Sequence, residues 1–258
     1  MRISRFTVDN EIHYGVVQGE GDEKIVVPMA GDPFYSGVQP IEGRSWRLEE
    51  VRLLAPVIPR SKIVCVQRNY AEHAAEMGND LPTRPMMFFK PNTSVVGPGD
   101  PVTLPSWTEK VSYEGELAVV IGRICKDVPA ERADEVIFGY TVANDLTARD
   151  IQASDDQWSR AKGFDGACPL GPWIETELDV SDLRLSSRVN GETRQDASTS
   201  QMIFSIPELI AYASAAFTLL PGDVLLTGTP AGVGQVDDGD RLEVEVEGIG
   251  ELVTLLRR

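Results

Sequence analysis

The sequence is poor in cysteine and in long apolar runs, and each shortage excludes a class of protein. Its 258 residues include three cysteines, Cys65, Cys125 and Cys168, which are too few and too scattered for a disulfide framework or a zinc site. We expect buried free thiols instead. No stretch approaches the roughly 20 apolar residues of a membrane span, and the start lacks the continuous apolar core of a signal peptide. The sequence therefore predicts a cytoplasmic protein.

Basic residues are also scarce relative to acidic ones. The chain has 24 lysines and arginines against 40 aspartates and glutamates, which gives a formal net charge of −16. This charge argues against nucleic acid and against an anionic membrane surface as partners. A site that binds an anion must therefore carry local positive charge that the protein as a whole lacks.

The pattern of apolar residues predicts a mostly-β fold of the α+β type. Short alternating stretches open the chain, and Pro56 and Pro59 suggest a hinge after them. We therefore predict a small N-terminal β-domain over residues 1–58 and a main domain over residues 59–258. In the main domain strand patterns predominate, one helix is expected over residues 206–217, and no βαβ rhythm appears.

Two carboxylates stand at the start of the apolar run "YEGELAVVIG", residues 113–122. Alternate residues of a strand share a face, so Glu114 and Glu116 are expected side by side. Beyond Glu116 both faces of the strand are apolar, which predicts that it enters a core. Carboxylates at the rim of a core are costly to desolvate unless something compensates them.

A second stretch near the C-terminus offers a comparison and an alternative. In "DRLEVEVEGIGELVTLL" apolar residues alternate with Glu243, Glu245 and Glu247, which we interpret as one half-exposed strand with its acids in water. A solvated strand face is therefore the alternative reading of Glu114 and Glu116.

Asp145 favours a cation over water as the partner of these acids. It ends a second strand pattern, "GYTVAND", about 30 residues after the glutamates, which allows a crossover back to the same edge of a sheet. Two glutamates and an aspartate are hard oxygen ligands that suit Mg²⁺ or Mn²⁺ and not zinc. The alternative is that Asp145 is only a turn residue.

The segment "NYAEHAAEMGNDLPTRP" predicts a short exposed helix and a loose loop, a composition typical of a mobile flap. His73 and Glu76 are three residues apart on this helix and can face each other. A carboxylate beside an imidazole orients it for general-base catalysis, although an ordinary surface pair is the alternative. His13 lies in an N-terminal strand and is the expected bystander. Lys162 matters only if an anion binds close to the metal.

Seven blocks together resemble one known family. They are "RNYAEHAAEM", "FFKPNTSVVGPGDPV", "YEGELAVVIG", "GYTVANDLTARDIQ", "AKGFDGACPLGPWI", "VNGETRQ" and "LLPGDVLLTGTPAGVG". In content and order they resemble the fumarylacetoacetate hydrolase family, and most of all its bacterial branch of 2-hydroxyhepta-2,4-diene-1,7-dioate isomerases and 5-carboxymethyl-2-oxo-hex-3-ene-1,7-dioate decarboxylases. The N-terminal part resembles the small β-domain of many bacterial members.

The resemblance implies a mixed β-roll that assembles as a homodimer, with a flap that closes over the substrate. It implies a bound Mg²⁺ or Mn²⁺, with Ca²⁺ as a substitute in crystals. The site residues that it implies are the metal ligands Glu114, Glu116 and Asp145, the catalytic residues His73, Glu76 and Lys162, and the substrate-binding residues Gln152 and Thr229.

Two positions depart from the family pattern. Gln67 precedes "RNY" where many members have glycine, and Gly166-Ala167 stand where relatives often have a larger pair. We expect both positions near the substrate, so the identity of the substrate is open while the metal ligands and the His–Glu pair are intact.

Members of the family act on 2-oxo acids or their enols. The resemblance implies a metal-dependent enzyme for a small 2-oxo or enol dicarboxylate in the catabolism of aromatic compounds, which acts through a metal-stabilised enolate by isomerisation, decarboxylation or C–C hydrolysis. An oxaloacetate decarboxylase or an acylpyruvate hydrolase would use the same residues. A non-catalytic relative that binds a metal or a small acid is the alternative from another class.

Overall fold

The computed structural model describes every residue from Met1 to Arg258 and shows a mostly-β chain with mixed sheets, as the sequence predicts. The strands are β1 Arg2–Val8, β2 Glu11–Gln18, β3 Ile25–Pro28, β4 Trp46–Arg47, β5 Arg52–Leu54, β6 Ile63–Gln67, β7 Met86–Lys90, β8 Val95–Val96, β9 Pro101–Thr103, β10 Val111–Tyr113, β11 Gly115–Ile121, β12 Ile137–Asn144, β13 Thr147–Ala148, β14 Cys168–Glu175, β15 Arg184–Val189, β16 Glu192–Ser198, β17 Val224–Leu226, β18 Gly234–Val236, β19 Arg241–Val246 and β20 Gly250–Arg257.

Helices are few and short. The α-helices are α1 Pro33–Ser36, α2 Ala71–Glu76, α3 Arg149–Ser154, α4 Ser159–Gly163 and α5 Ile206–Ala216. Single 3₁₀ segments cover Gly21–Glu23, Leu48–Glu50, Asn92–Ser94, Ala130–Val136 and Thr199–Gln201. None of these helices is long and apolar enough to cross a membrane.

A twelve-stranded sheet forms the framework of the molecule. Ten of its strands follow the order β4-β3-β2-β1-β14-β12-β11-β17-β6-β7, while β5 pairs with β1 and β8 with β14. The N-terminal strands continue this sheet because β1 pairs antiparallel with β14. The division into residues 1–58 and 59–258 stays a prediction. Two smaller sheets have the orders β13-β10-β18 and β16-β15-β19-β20-β9.

Strand β11 lies in the interior of the large sheet, between β12 and β17. Leu117, Val119 and Ile121 belong to one core cluster, whereas Ala118 and Val120 belong to a second cluster on the other face. A strand that is covered on both faces needs apolar residues throughout rather than alternation. The prediction that this apolar run enters a core is confirmed.

The stretch "YEGELAVVIG" is divided at Glu114 between two sheets. β10 pairs with β13 and β18 in the three-stranded sheet, while β11 begins at Gly115 in the large sheet. Glu114 therefore lies at the point where the chain passes from one sheet to the other, rather than inside one continuous strand.

The C-terminal stretch is a hairpin of β19 and β20 rather than a single strand. Glu243 is buried, and its carboxylate accepts a hydrogen bond from Arg188 Nε at 2.8 Å on the neighbouring strand β15. The prediction that the acids of this stretch lie in water is wrong for Glu243, because a cross-strand arginine compensates its charge. Glu245 and Glu247 are exposed, as predicted.

Helix α5 covers one face of the large core and is one residue shorter than predicted. Ser205 precedes it, and its backbone N–H donates to Glu208 Oε2 at 2.8 Å, which completes a capping box. Pro207 occupies the first turn, where its missing N–H has no cost. Leu209 and Ala213 are buried in the core cluster, so the predicted helical spacing is confirmed.

All three cysteines are free and buried, which confirms the prediction for the thiols. Burial raises the pKa of the Cys168 thiol to about 12, so this group stays protonated at neutral pH.

Candidate active site

Three carboxylates converge where β11 begins and β12 ends. The two strands are antiparallel with Gly115 opposite Asn144, so the first residues of one strand meet the residue that follows the other. One carboxylate oxygen from each of Glu114, Glu116 and Asp145 lies within 4.8 Å of the others, and all three residues are buried. The predicted return of the chain to the same sheet edge is therefore a direct antiparallel pairing.

Backbone hydrogen bonds fix these three acids relative to one another. The Asp145 N–H donates to the Glu114 carbonyl at 2.8 Å, and the Glu114 N–H donates to Asn144 Oδ1 at 2.9 Å. Glu116 Oε2 accepts from the Gly228 N–H at 2.7 Å, in the loop after β17. Each of these bonds involves a main-chain group, so the fold of the two strands and of the loop after β17 helps to position the acids.

Three cations surround the acids. Lys162 Nζ, on α4, lies 2.7 Å from Glu114 Oε2 and 2.8 Å from Asp145 Oδ2 and donates to both. Arg149, at the start of α3, forms an ion pair with the other oxygen of Glu114. Lys90 Nζ, at the end of β7, lies 2.7 Å from Asp145 Oδ1.

Lys90 is fully buried, and its hydrogen bonds join three backbone segments. Its ammonium donates to the carbonyls of Leu146, Lys162 and Ala167. Since its hydrogens are directed at these carbonyls, Asp145 Oδ1 receives charge compensation from Lys90 but no directional hydrogen bond.

The cations act unequally on the pKa values of the acids. Burial opposes ionisation of Glu114, yet the adjacent Lys162 and Arg149 hold the pKa of this carboxyl well below its usual value. Burial, together with the charges of Asp145 and Glu114, raises the pKa of Glu116 well above its usual value. Burial opposes the charged form of Lys162, but Asp145 and Glu114 raise its pKa. Glu116 is therefore the acid whose charge the chain compensates least.

Helix α2 places the predicted His–Glu pair beside this cluster. His73 Nδ1 lies 3.1 Å from Glu76 Oε2, and Glu76 Oε1 accepts from the Gly232 N–H at 3.1 Å. The predicted short helix is present, but it is only partly exposed, because His73 and Ala74 are buried against the body. His73 is 7% exposed, so the pair is not an ordinary surface contact.

A cavity of about 450 Å³ opens between α2 and the acids. Its lining comprises Val66, Gln67, Arg68, His73, Met77, Asn79, Phe88, Ser112, Glu114, Glu116, Asp145, Arg149, Gln152, Ala153, Trp158, Lys162, Thr229 and Val233. The structure thus brings seven of the eight predicted site residues to one cavity, and the eighth, Glu76, contacts His73 Nδ1. The roles assigned to all eight stay predictions.

The two predicted substrate-binding residues lie in the cavity wall. Gln152 Oε1 accepts from Arg149 Nη1 at 2.9 Å, so its amide nitrogen remains available as a donor. The Thr229 hydroxyl donates to the Gly115 carbonyl at 2.8 Å and accepts from Gln195 Nε2 at 2.7 Å. A contact between this hydroxyl and a substrate carboxylate would require it to release the Gly115 carbonyl.

The expected bystander and one departure from the family pattern lie elsewhere. His13 packs against Phe6 and Trp46 in the N-terminal strands and does not reach the cavity. Gln67 lines the cavity as expected, but Gly166 and the residue after it do not. Gly166 has a φ of +81°, and a Cβ there would lie 3.1 Å from Val102, so backbone and packing favour glycine.

The acid cluster fits a divalent cation. Three carboxylates supply the hard oxygen ligands that Mg²⁺ and Mn²⁺ prefer, and no cysteine or histidine completes a zinc-like set among them. Asp145 Oδ1 lies 2.7 Å from Lys90 Nζ but accepts no hydrogen bond, and burial together with the charges of Asp145 and Glu114 raises the pKa of Glu116. A divalent cation would compensate both carboxylates, which are costly to bury as they stand.

Sequence reasoning missed Lys90 and Arg149. Lys90 ends the apolar run "MMFFK" of β7 and is itself buried, and a buried lysine needs a partner for its charge. Arg149 stands three residues before Gln152, the spacing of facing side chains on a helix. Both signals were present in the printed sequence.

The mixed sheets, the buried carboxylate cluster and the adjacent His–Glu pair together define an enzyme fold of the fumarylacetoacetate hydrolase type. Residues 62–257 match the family model described as fumarylacetoacetate hydrolase C-terminal, and residues 1–56 match the model described as Rv2993c-like, N-terminal. The chain belongs to the fumarylacetoacetate hydrolase family.

Two relatives show how similar this chain is to other members of the family. Protein Rv2993c from Mycobacterium tuberculosis is 50% identical over 258 residues, which cover 98% of this chain and 96% of the relative. Oxaloacetate tautomerase YisK from Bacillus subtilis is 43% identical over 221 residues, which cover 80% of this chain and 73% of the relative.

Three solved structures share the fold. 5-Carboxymethyl-2-hydroxymuconate delta-isomerase from Mycobacterium smegmatis is 49% identical, with a TM-score of 0.92 and full coverage of both chains. 2-Hydroxyhepta-2,4-diene-1,7-dioate isomerase from Mycobacterium marinum is 46% identical, with a TM-score of 0.92 over 100% of this chain and 98% of that chain. Fumarylpyruvate hydrolase from Pseudomonas aeruginosa, in complex with Mn²⁺ and pyruvate, is 36% identical, with a TM-score of 0.73 over 84% of this chain and 94% of that chain.

Proposed function

We propose that the protein is a divalent-cation-dependent enzyme that isomerises a small 2-oxo dicarboxylate, or its enol, by proton transfer. The observation that carries the proposal is the placement of His73, backed by Glu76, at the same cavity as the carboxylates of Glu114, Glu116 and Asp145. The names of the relatives, two isomerases and a tautomerase, support the same class of reaction.

The charge of the cavity favours a doubly charged substrate. Three carboxylates and three cationic side chains line it, so its formal charge is zero when the histidine is neutral. Binding of a divalent cation would make the cavity positive by two charges. A dicarboxylate restores neutrality, and it does so inside a protein whose net charge of −16 otherwise repels anions.

The three carboxylates would hold the cation, which when bound supplies Lewis-acid polarisation of the 2-oxo group. The bound Mn²⁺ in the fumarylpyruvate hydrolase complex supports this assignment. We propose Mg²⁺ or Mn²⁺ as the native ion. Lys162 stands between Glu114 and Asp145, where its ammonium would also face the carboxylate of a bound 2-oxo acid.

His73 would move the proton. With Glu76 Oε2 accepting from Nδ1–H, the imidazole presents an unprotonated Nε2 as a base. In the conversion of enol to ketone, Nε2 takes the enol O–H proton and a proton is returned to the adjacent carbon, so the substrate gains and loses one proton. Burial of α2 against the body limits access of water to this exchange.

Hydrolysis of a C–C bond is the second candidate. The same His73 base acting on a water molecule would supply the nucleophile, and the fumarylpyruvate hydrolase relative favours this use of the site. Decarboxylation of oxaloacetate needs no water and stays a third outcome of the same test.

A substrate panel with and without metal tests the proposal. The purified protein is assayed in Mg²⁺, in Mn²⁺ and in EDTA with enol oxaloacetate, a 2-hydroxy-dienedioate and acetylpyruvate, and with oxaloacetate for release of pyruvate. We expect metal-dependent isomerisation of a dicarboxylate to exceed cleavage of acetylpyruvate. Inactivity on every compound with a metal bound would favour a non-catalytic binding protein. Light scattering of the same preparation tests the homodimer, which we propose from the resemblance to the family.

A further inference from the structure

One cationic side chain in the cavity wall has no partner. Lys162 and Arg149 are paired with the acid cluster through Glu114 and Asp145. Arg68, which lines the same cavity and is half-buried, forms no ion pair and donates no side-chain hydrogen bond. Its guanidinium is therefore the positive group in the cavity that is available to a ligand without first leaving a carboxylate.

The backbone of Arg68 is held in an unusual conformation. It follows β6 directly and has a φ of +57°, in the left-handed region that bulky residues rarely adopt. The next residue, Asn69, fixes the conformation, because its side chain bonds the Phe204 N–H, the Phe204 carbonyl and the Thr227 carbonyl at 2.8–3.0 Å. A strained residue that is over-determined by its neighbours is typical of a functional position.

Arg68 also stands at the junction between the sheet and α2. Only Asn69 and Tyr70 separate it from the start of α2, the helix that carries His73. The acid cluster and Lys162 occupy the part of the cavity where a 2-oxo-carboxylate end would bind. Arg68 lines the same cavity but is not paired with this cluster, so its guanidinium is available to the other end of the molecule.

We propose that Arg68 is a specificity-determining residue that binds the distal carboxylate of the substrate, the one not adjacent to the 2-oxo group. A planar guanidinium forms two parallel hydrogen bonds to a carboxylate, which fixes orientation as well as charge. The inference rests on the proposed function in so far as the substrate is a 2-oxo dicarboxylate. It adds the residue that separates dicarboxylates from monocarboxylates of the same length.

Calorimetry with a matched pair of stable ligands tests this inference without turnover. The probes are 2-oxoglutarate and 2-oxopentanoate, which differ in the distal carboxylate, each titrated into Mn²⁺-loaded protein. The test variant is Arg68→Gly, because glycine accepts the left-handed backbone and removes only the side chain. Arg68→Lys keeps the positive charge but cannot form the two parallel hydrogen bonds of a guanidinium. The control variant, Arg123→Gln, removes an exposed charge that is not part of the cavity lining.

We expect Arg68→Gly to weaken 2-oxoglutarate binding by about 10- to 100-fold, the loss typical of a charge-assisted pair, and to change 2-oxopentanoate binding less than about 3-fold. Arg68→Lys should recover part of the loss, and Arg123→Gln should match the wild type. Titration with Mn²⁺ alone and the unfolding temperature should be unchanged in Arg68→Gly, which separates this role from a structural one.

Equal weakening of both ligands, or no weakening of either, overturns the assignment, as does a wild-type protein that binds 2-oxoglutarate no better than 2-oxopentanoate. The fate of the proposed function is read separately, from the substrate panel. Selective loss of 2-oxoglutarate binding in a protein inactive on every substrate retains Arg68 as the carboxylate site and rejects the isomerase. If the wild type acts on dicarboxylates and Arg68→Gly keeps that activity, the isomerase is retained and Arg68 is rejected as the carboxylate site.

Discussion

Glu76 joins the candidate base to the glycine-rich loop after β17. One of its oxygens accepts a hydrogen bond from the Gly232 N–H at 3.1 Å, and the other lies 3.1 Å from His73 Nδ1. The position of α2 over the cavity therefore depends on a main-chain group that is remote in sequence. Tyr113 supports the same loop by donating to the Gly232 carbonyl at 2.6 Å.

Replacement of Gly232 by alanine should displace this loop and lower activity. Gly232 has a φ of +98°, and a Cβ there would lie 2.1 Å from the Arg194 carbonyl oxygen, which cannot yield without moving β16. We expect kcat to fall at least about 10-fold, since misplacement of a catalytic group by an ångström has effects of that order or more. The control is Gly191→Ala, whose φ is +81° but whose Cβ would meet nothing within 4 Å. Equal kinetics in the two variants would show that the position of the Gly232 loop does not affect the His73–Glu76 pair.

Replacement of His73 by glutamine should abolish most of the isomerase activity. General-base catalysis contributes typically about 10²- to 10⁴-fold, so a loss in that range is expected in kcat. His13→Gln is the matched control, because His13 packs on Phe6 and Trp46 away from the cavity. Mn²⁺ affinity, measured by calorimetry, should be the same in both variants. Full activity of His73→Gln at saturating metal would show that another group moves the proton.

Replacement of Glu116 by glutamine should have opposite effects with and without metal. In EDTA at pH 7 the variant should unfold at a higher temperature than the wild type, because burial raises the pKa of Glu116 and so penalises the charge that this carboxyl carries in the unfolded chain. Each kcal/mol gained raises the unfolding temperature of a domain of this size by about 2–4 °C. With Mn²⁺ the order should reverse, since the wild type gains binding free energy that the variant loses.

The same pair of proteins gives a pH dependence with a definite sign. A carboxyl whose pKa is raised by folding costs no stability below its ordinary value of 4.5, where it is protonated in both states. The cost develops as the pH rises above that value. The metal-free advantage of Glu116→Gln should therefore disappear near pH 4 and grow toward neutrality. The exposed Glu131→Gln serves as the control, and a difference that is constant with pH would refute the raised pKa.

Replacement of Lys162 or Lys90 by methionine should distinguish a lysine whose charge a metal ion can supply from one that is needed as a hydrogen-bond donor. Lys162 lies between Glu114 and Asp145, where a divalent ion would supply the same charge. Thermal unfolding should show Lys162→Met destabilised in EDTA and largely restored by Mn²⁺. Lys90→Met removes the donor to three carbonyls, which a metal at the acids does not replace, and should stay destabilised in either buffer, by about 1–3 kcal/mol for each buried carbonyl left without a donor. Equal rescue of both variants by Mn²⁺ would contradict this distinction.

Much of the fold and part of the site were predictable from local pattern. The apolar run after Glu116 predicts a strand covered on both faces, because only such a strand excludes polar residues from each side. Spacing alone places His73 and Glu76 on one helix face. The prediction for Glu243 failed because its compensating partner, Arg188, lies on a strand that is distant in sequence.

The sequence by itself indicated which residues to expect at the candidate site: the acids at Glu114, Glu116 and Asp145, the His–Glu pair, and the family blocks around them. These expectations follow from side-chain type and short-range periodicity, which are local properties of the sequence. Only the tertiary structure decided how the charges are balanced. Lys90 and Arg149 reach the acids from separate segments, and Arg68 is left without a partner, because such pairings arise from the packing of strands and helices far apart along the chain.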